Sequence, residues 1–342
     1  MGDLVKLLRV GVAGAAGLLG RELLEVLDGS KLPVVELVPI GSEASVGEGV
    51  EFRGEDLALH PPGAELKGLD LLFLCAPADE SLELARRALH ARVPCLDLSG
   101  ALASSEDVPL LDADDESAAL EAGLQAPLVS VAGGPALAWA RVLRALDVEA
   151  GLAHVQVTGL ESASTAGHRA FAALSTETTS LLNQQEAPEQ EGLPWPLAFD
   201  CHAATDDADL AGQSGREAEL AYALARLLGR EVPLDCTVLR IPTFTGEGAV
   251  IVVGLERELS AEAASAHLGK VQGLEVVSLD RGGLRTRATT GRENVVVGRV
   301  REAARTPGLI LWLASDTQRL TARNAVRLAE QRGAVATAVE PG

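Results

Sequence analysis

To about residue 130, apolar and polar positions alternate in two rhythms. Leu7 to Ala13, Val34 to Ile40, Asp70 to Ala76 and Val93 to Leu98 are short, nearly continuous apolar runs, the pattern of strands buried on both faces. Between them the apolar positions take helical spacing. Leu18 to Leu27 sets Leu19, Leu23, Leu24 and Leu27 on one face, and Glu80 to Ala91 reads as a second helix. Such alternation predicts a parallel sheet covered by helices on both sides. From Pro135 the pattern changes. Pro135 to Leu146 reads as a helix with proline at its first position. Longer strands follow at His154 to Glu161, Cys236 to Thr245, Ala249 to Glu256 and Asn294 to Arg301, which predict a largely antiparallel sheet. Gln184 to Pro196 reads as a surface loop, Leu309 to Ala314 as a late strand and Arg323 to Glu330 as a late helix. No internal repeat is visible.

The stretch Gly14-Ala15-Ala16-Gly17-Leu18-Leu19-Gly20 follows a strand and opens a helix, the context that a phosphate-cradling turn requires. Glycines let the backbone approach a pyrophosphate, and the free N–H groups of the helix start face the anion. The same glycines also permit close helix–strand packing without a ligand. Gly14, Ala15, Gly17, Leu18 and Gly20 are therefore the candidate contacts of a dinucleotide, within an N-terminal Rossmann-type unit.

Composition narrows the partners. A chain of 342 residues with 47% hydrophobic and 23% charged residues has material for two cores. Its net charge of −20 repels phosphate backbones and anionic lipid, so neither nucleic acid nor membrane is expected as a partner. An anionic cofactor must enter through a local positive site. Cys75, Cys95, Cys201 and Cys236 lie far apart with no CxxC spacing, and the six histidines are dispersed, so no metal site is expected. With no long apolar stretch and no basic, apolar leader, a cytoplasmic protein is expected.

Several segments resemble one family. Val10 to Gly20 ("VGVAGAAGLLG"), Cys95 to Leu102 ("CLDLSGAL"), Ser162 to Gly167 ("SASTAG"), Arg240 to Val250 ("RIPTFTGEGAV"), Leu311 to Asp316 ("LWLASD") and Asn324 to Glu330 ("NAVRLAE") resemble, in order, segments of aspartate-semialdehyde dehydrogenases. The stretch from Leu160 through Asn183 and "PLAFD", Pro196 to Asp200, is closer to the divergent usg-type semialdehyde dehydrogenase homologues. The resemblance implies a Rossmann domain from residues 1–133 and 315–342 and an α+β dimerisation and substrate domain from 134–314. It also implies a homodimer, NADP or NAD as cofactor, and reductive dephosphorylation of aspartyl phosphate through a cysteine thioester.

Matched position by position, the chemistry is altered. The nucleophilic cysteine falls at Gly134, the acid/base histidine at Glu247 and the glutamine beside the thiol at Glu161. The two phosphate-binding cations fall at Ala103 and Leu220, and the arginine that reads the 2′-phosphate of NADP at Ala44. Ser42 and Ser45 remain to hydrogen-bond a ribose, and Ser99 and Gly100 lie on the cofactor side. Arg240 matches a substrate-binding arginine, or is a surface strand residue. Glu217, in the helix that also holds Leu220, matches a residue that binds the substrate's amino group. Glu247 is either a proton carrier or an exposed turn residue after Gly246, and Glu161 a proton carrier or a strand-end carboxylate with a structural partner. The simultaneous loss of thiol, imidazole and both phosphate cations leads to the expectation of a dimeric nucleotide-binding or interaction protein without the phosphorylating chemistry. The alternatives are an active NAD(P)-dependent oxidoreductase and a purely structural dimer subunit.

Overall fold

The computed structural model describes residues 6–45, 47–115, 117–188, 196–203, 212–278, 284–304 and 307–339. The chain divides into two compact units, Met1–Gly133 with Thr321–Gly342, and Gly134–Leu320.

Unit 1 is built on a six-stranded sheet. Its strands are β1 (Leu8–Ala13), β2 (Val34–Ile40), β5 (Leu71–Leu74), β6 (Cys95–Asp97), β7 (Leu110–Leu111) and β8 (Leu128–Val131), in the order β2-β1-β5-β6-β8-β7. Every neighbouring pair is parallel. The sequence expectation of a parallel sheet covered on both faces holds. In β5, Leu71 and Phe73 join a core with Leu23, Leu24 and Leu27 of α1 (Leu18–Asp28) and with Ala325 and Val326 of α8 (Thr317–Val339). Leu72 and Leu74 point the other way, onto Leu84, Ala85 and Ala88 of α2 (Ala78–Ala91). A period-two strand feeding two cores needs apolar residues at every position, which is why β5 reads LLFL. A hairpin of β3 (Gly49–Phe52) and β4 (Glu55–Ala58) and the helix α3 (Ala118–Leu124) complete the unit. Asn324, fully buried on α8, donates to the carbonyls of Leu111 and Ala132 and accepts from Ala113 N, pinning the helix to the sheet.

Unit 2 holds α4 (Gly134–Ala150), β9 (Leu152–Glu161), α5 (His168–Leu182), α6 (Gly215–Leu228), β10 (Leu234–Arg240), β11 (Glu247–Leu255), α7 (Ala261–Leu268), β12 (Leu274–Val277), β13 (Val295–Glu302) and β14 (Gly308–Ser315). Its sheet order is β10-β9-β11-β14-β13-β12. The sheet is mixed, a correction to the largely antiparallel expectation: β9–β10 and β12–β13 are parallel, the other three pairs antiparallel. The strand expected to reach Thr245 ends at Arg240, because Pro242 has no N–H to extend a ladder. The late helix begins at Thr317 and runs to Val339, longer than its apolar stripe indicated. Its first turn, Thr317 to Leu320, belongs to unit 2, so the change of unit falls after Leu320 and not before residue 315. Of the expected loop at 184–196, residues 189–195 lie outside the described residues.

Helices α4, α6 and α7 pack against one another or the sheet, and the covered sheet face is closed. Val155, Val157, Val238, Ile251, Val253, Leu309, Leu311 and Leu313 are buried there, and Gly159 makes room for the buried Trp139 of α4, whose ring a Cβ would approach to 2.8 Å. On the opposite face Thr158, Leu160, Leu239, Val250, Val252, Ile310 and Trp312 are only half-buried, and Gln156 is exposed.

Candidate functional site

In unit 1 the glycine turn is shaped by sterics. Gly14 has φ +74°, and a Cβ there would lie 2.6 Å from the Ala76 nitrogen. A Cβ on Gly20 would lie 2.1 Å from the Gly14 carbonyl oxygen. Neither position accepts a side chain, ligand or no ligand. Gly17 differs. It is the N-cap of α1 at φ −71°, a conformation open to any residue, and its Cβ would meet only the Gly14 oxygen, at 3.2 Å. Gly14 N and Ala15 N donate to the Ile40 carbonyl, at 2.8 and 3.2 Å, so these two N–H groups tie β1 to β2. The helix that starts at Leu18 has no side-chain cap and no acidic residue in its first turn, leaving the positive end of its dipole uncompensated. Arg21, exposed on this first turn, donates from Nε to the Ala16 carbonyl at 2.9 Å and so holds a guanidinium against the loop.

Beyond β2, Ser42 and Ser45 face each other at 3.2 Å across a short 3-10 turn, and Ala44 between them is exposed. After β6, the buried Asp97 accepts from Ser99 N (2.9 Å), Ser99 Oγ (2.5 Å) and Leu102 N (3.1 Å), shaping a loop in which Gly100 has φ +80°. Burial still pushes the Asp97 carboxyl above its ordinary range against those hydrogen bonds. Ala103, half-buried on the same loop, offers no charge.

In unit 2 the sheet register assembles the polar cluster. Arg240 pairs with Glu161, and Glu247 pairs with Ser315. Gly248 pairs with Leu160, which brings Glu247 alongside Glu161. Arg240, Glu161, Glu247 and Ser315 thus form a row across β10, β9, β11 and β14 on the helix-covered face. All four are buried. Glu161 Oε1 accepts from Nε and Nη2 of Arg216, at 3.0 and 2.9 Å, and its Oε2 accepts from Nη2 of Arg240 at 3.1 Å. Ser162 Oγ donates to Glu247 Oε1 over 3.4 Å and lies 2.9 Å from Ser164 Oγ. Thr317 also hydrogen-bonds Glu247. Glu247 Oε2 and Arg240 Nε are buried with no partner among the described residues. Burial first, then the Glu161 charge, pushes the Glu247 carboxyl up to about 8, against the pull of Arg216, the Thr317 hydrogen bond and Arg240. A crevice too narrow for a water adjoins Glu161 and Glu247 and is walled by Pro135, Trp139, Leu160 and Leu313.

The sequence reading of Glu247 as an exposed turn residue is corrected: it opens β11 and is 3% exposed. The alternative of a surface strand residue fails for Arg240, which is 8% exposed. Glu217 stands apart from this row. Its Oε2 accepts from Ser214 N (2.9 Å) and its Oε1 from Val238 N (2.9 Å), while Glu217 N donates to Ser214 Oγ, a capping box at the start of α6. Both carboxylate oxygens, expected at a substrate amino group, serve the backbone. Leu220, one turn further, is core. Arg216 and Thr317 were not singled out in the sequence, and Ser162 and Ser164 entered only as part of the quoted segment Ser162 to Gly167. Arg216 adjoins Glu217, but its partner is 55 positions away.

Residues 9–121 match the family described as semialdehyde dehydrogenase, NAD binding domain, and residues 143–319 that described as semialdehyde dehydrogenase, dimerisation domain. The chain belongs to the aspartate-semialdehyde dehydrogenase family. It is 28% identical to the aspartate-semialdehyde dehydrogenase of Aquifex aeolicus over 94% of this chain and 97% of that one. It is 30% identical to a USG-1 protein homolog of Azotobacter vinelandii, over 94% and 96%. Among solved structures, aspartate semialdehyde dehydrogenase II of Vibrio cholerae superposes with a TM-score of 0.89 at 25% identity, covering 95% of this chain and 98% of that one.

Gly134 is the position at which the sequence match placed a nucleophilic thiol. Gly134 starts α4 at φ +58°, and a Cβ there would meet nothing within 4 Å, so the position is empty space, not a packed joint. The four cysteines lie elsewhere. Cys95 is buried in β6, and Cys75 follows β5. Burial, reinforced by Asp97, pushes Cys95 up to about 12 and Cys75 up as well. Burial, with Glu217 and Glu161, pushes Cys236 on β10 up to about 12. These three stay thiols at neutral pH, and the thiolate is the nucleophile. Cys201 is exposed.

Proposed function

We propose that this family member is a dimeric nucleotide-binding protein that has lost the phosphorylating dehydrogenase reaction. The observation that carries the reading is Gly134. The family reaction runs through a thioester, and glycine at the head of α4 supplies no nucleophile. Glu247 in place of the imidazole, and Ala103 and Leu220 in place of the phosphate cations, agree with it. The helix that carries Leu220 has one cation on that side, Arg216, and this is paired with Glu161.

Nucleotide binding is supported by the uncapped start of α1 and by Gly17, whose backbone and surroundings demand glycine less than Gly14 and Gly20 do. A pyrophosphate needs a helix start with free N–H groups and no side chain in its way. The dimer is supported by the match to a dimerisation domain and by the half-buried apolar face of the unit 2 sheet. A second copy of that face would cover it by two-fold symmetry.

One observation favours a second reading, an active NAD(P)-dependent oxidoreductase. Glu247 keeps its proton at neutral pH, the protonation state that a general acid needs.

Calorimetric titration with NAD and with NADP tests the nucleotide claim. Both should bind, with NADP favoured by no more than a few-fold, because Ala44 offers no guanidinium to the 2′-phosphate, a contact worth about 1.5–3 kcal/mol. Ala44→Arg should shift the preference toward NADP. Failure of both cofactors to bind at millimolar concentration would leave the glycine turn with a packing role alone.

A further inference from the structure

Arg216 and Arg240 reach one point from two elements, the first turn of α6 and the end of β10. Two guanidiniums converging in a buried place form a receptor for a carboxylate or a phosphate. Here that place is filled from within the chain. Glu161, 1% exposed, gives one oxygen to each arginine, with three donors at 2.9–3.1 Å. The matching of oxygens to arginines is that of a bound anion. The second carboxylate of the row, Glu247, is hydrogen-bonded by the hydroxyls of Ser162 and Thr317.

We propose that Glu161 is a resident anion that sets the specificity of unit 2: by occupying the place between Arg216 and Arg240, its carboxylate excludes small carboxylates and phosphates that those guanidiniums would otherwise capture. The inference goes beyond the loss of the thiol. A chain that lacked a nucleophile but left both forks open would still bind an anionic ligand. Here the Glu161 carboxylate already engages both guanidiniums, so an anionic ligand would have to displace it from between them. Glu161 acts through the arginines and is a specificity-determining residue, not a catalytic one.

Chemical rescue tests it. Glu161→Ala removes the resident carboxylate and leaves space for a small one. Its melting temperature should fall below wild type and should rise saturably with added acetate, against sodium chloride at equal ionic strength. Wild type should not respond. Acetate affinity should differ by at least roughly tenfold between the two proteins. The double variant Glu161→Ala/Arg216→Gln should lose the response, since one side of the receptor is gone. If Glu161→Ala does not fold, Glu161→Ser, which also vacates the place but leaves a hydroxyl, should gain acetate binding in calorimetry. The proposal is overturned if wild type binds acetate or phosphate as tightly as the variants do through Arg240. It is also overturned if the folded variants ignore acetate, or if rescue survives the loss of Arg216. Turnover is read separately: a catalytically silent wild type that binds acetate through Arg240 would overturn the resident anion and leave the proposed function standing.

Discussion

Glu247 shows how one residue's meaning depends on contacts far away in sequence. After Gly246, a glutamate reads equally well as an exposed turn residue. It is buried because β11 begins on it and because its strand partner is Ser315, 68 positions on, a pairing no local pattern contains. The same holds for Arg216 and Glu161. Burial gives Glu247 a measurable signature. In the folded protein its carboxyl sits at about 8, against an ordinary 4.5. Below 4.5 both states hold the proton. Between the two values the unfolded chain releases it and the folded chain does not, so stability falls by up to about 1.4 kcal/mol per pH unit and levels off above 8. Urea midpoints of Glu247→Gln should show a flatter pH profile than wild type between pH 5 and 8. An unchanged slope would mean that Glu247 is not the titrating group. At Gly17, valine should cost about 1–2 kcal/mol of stability, as a poorer N-cap whose Cβ comes within 3.2 Å of the Gly14 oxygen, yet abolish nucleotide binding by titration. Retained affinity would move the ligand away from α1.

At the scale of elements, β1, β2, β5, β6, α1 and α2 of unit 1 were legible because each buries two faces or one stripe, whereas β7, α3 and β8 were not, the first two being too short to show a period. Val34–Ile40 was read to the residue, and α1 to within one. The hairpin β3–β4, with few apolar residues, left no such trace. In unit 2 the strand directions were not legible, since a parallel β9–β10 pair and an antiparallel β9–β11 pair share one apolar alternation. The start of α6 was written in the sequence as Ser214-Gly215-Arg216-Glu217, a serine with glutamate three residues on. The resemblance places Glu217 at a substrate amino group, while its carboxylate accepts from Ser214 N and Val238 N. Glu217→Ala should therefore destabilise the protein by about 2–4 kcal/mol in urea unfolding, leaving the N–H groups of Ser214 and Val238 without their acceptor. Nucleotide affinity in unit 1 should not change. A neutral effect on stability, with altered ligand binding, would return Glu217 to the site.

For the whole molecule, length, charge and the order of family segments made the two-unit plan legible, and the open apolar face of the second sheet adds what the chain alone lacks, a reason to pair. Light scattering at micromolar concentration should report about twice the 35.4 kDa chain mass. Val252 and Ile310 are neighbours on that face, and lysine at both should yield a monomer with unchanged far-ultraviolet circular dichroism. A wild-type monomer would contradict the dimer. The central claim, that this fold no longer carries the phosphorylating reaction, is tested most directly by phosphate-dependent oxidation of aspartate semialdehyde. The purified protein would be assayed with NAD or NADP at saturating phosphate. No turnover above background is predicted. Turnover that disappears on replacing a single cysteine would contradict the account, because it would place a working thiol where the structure has none at the head of α4.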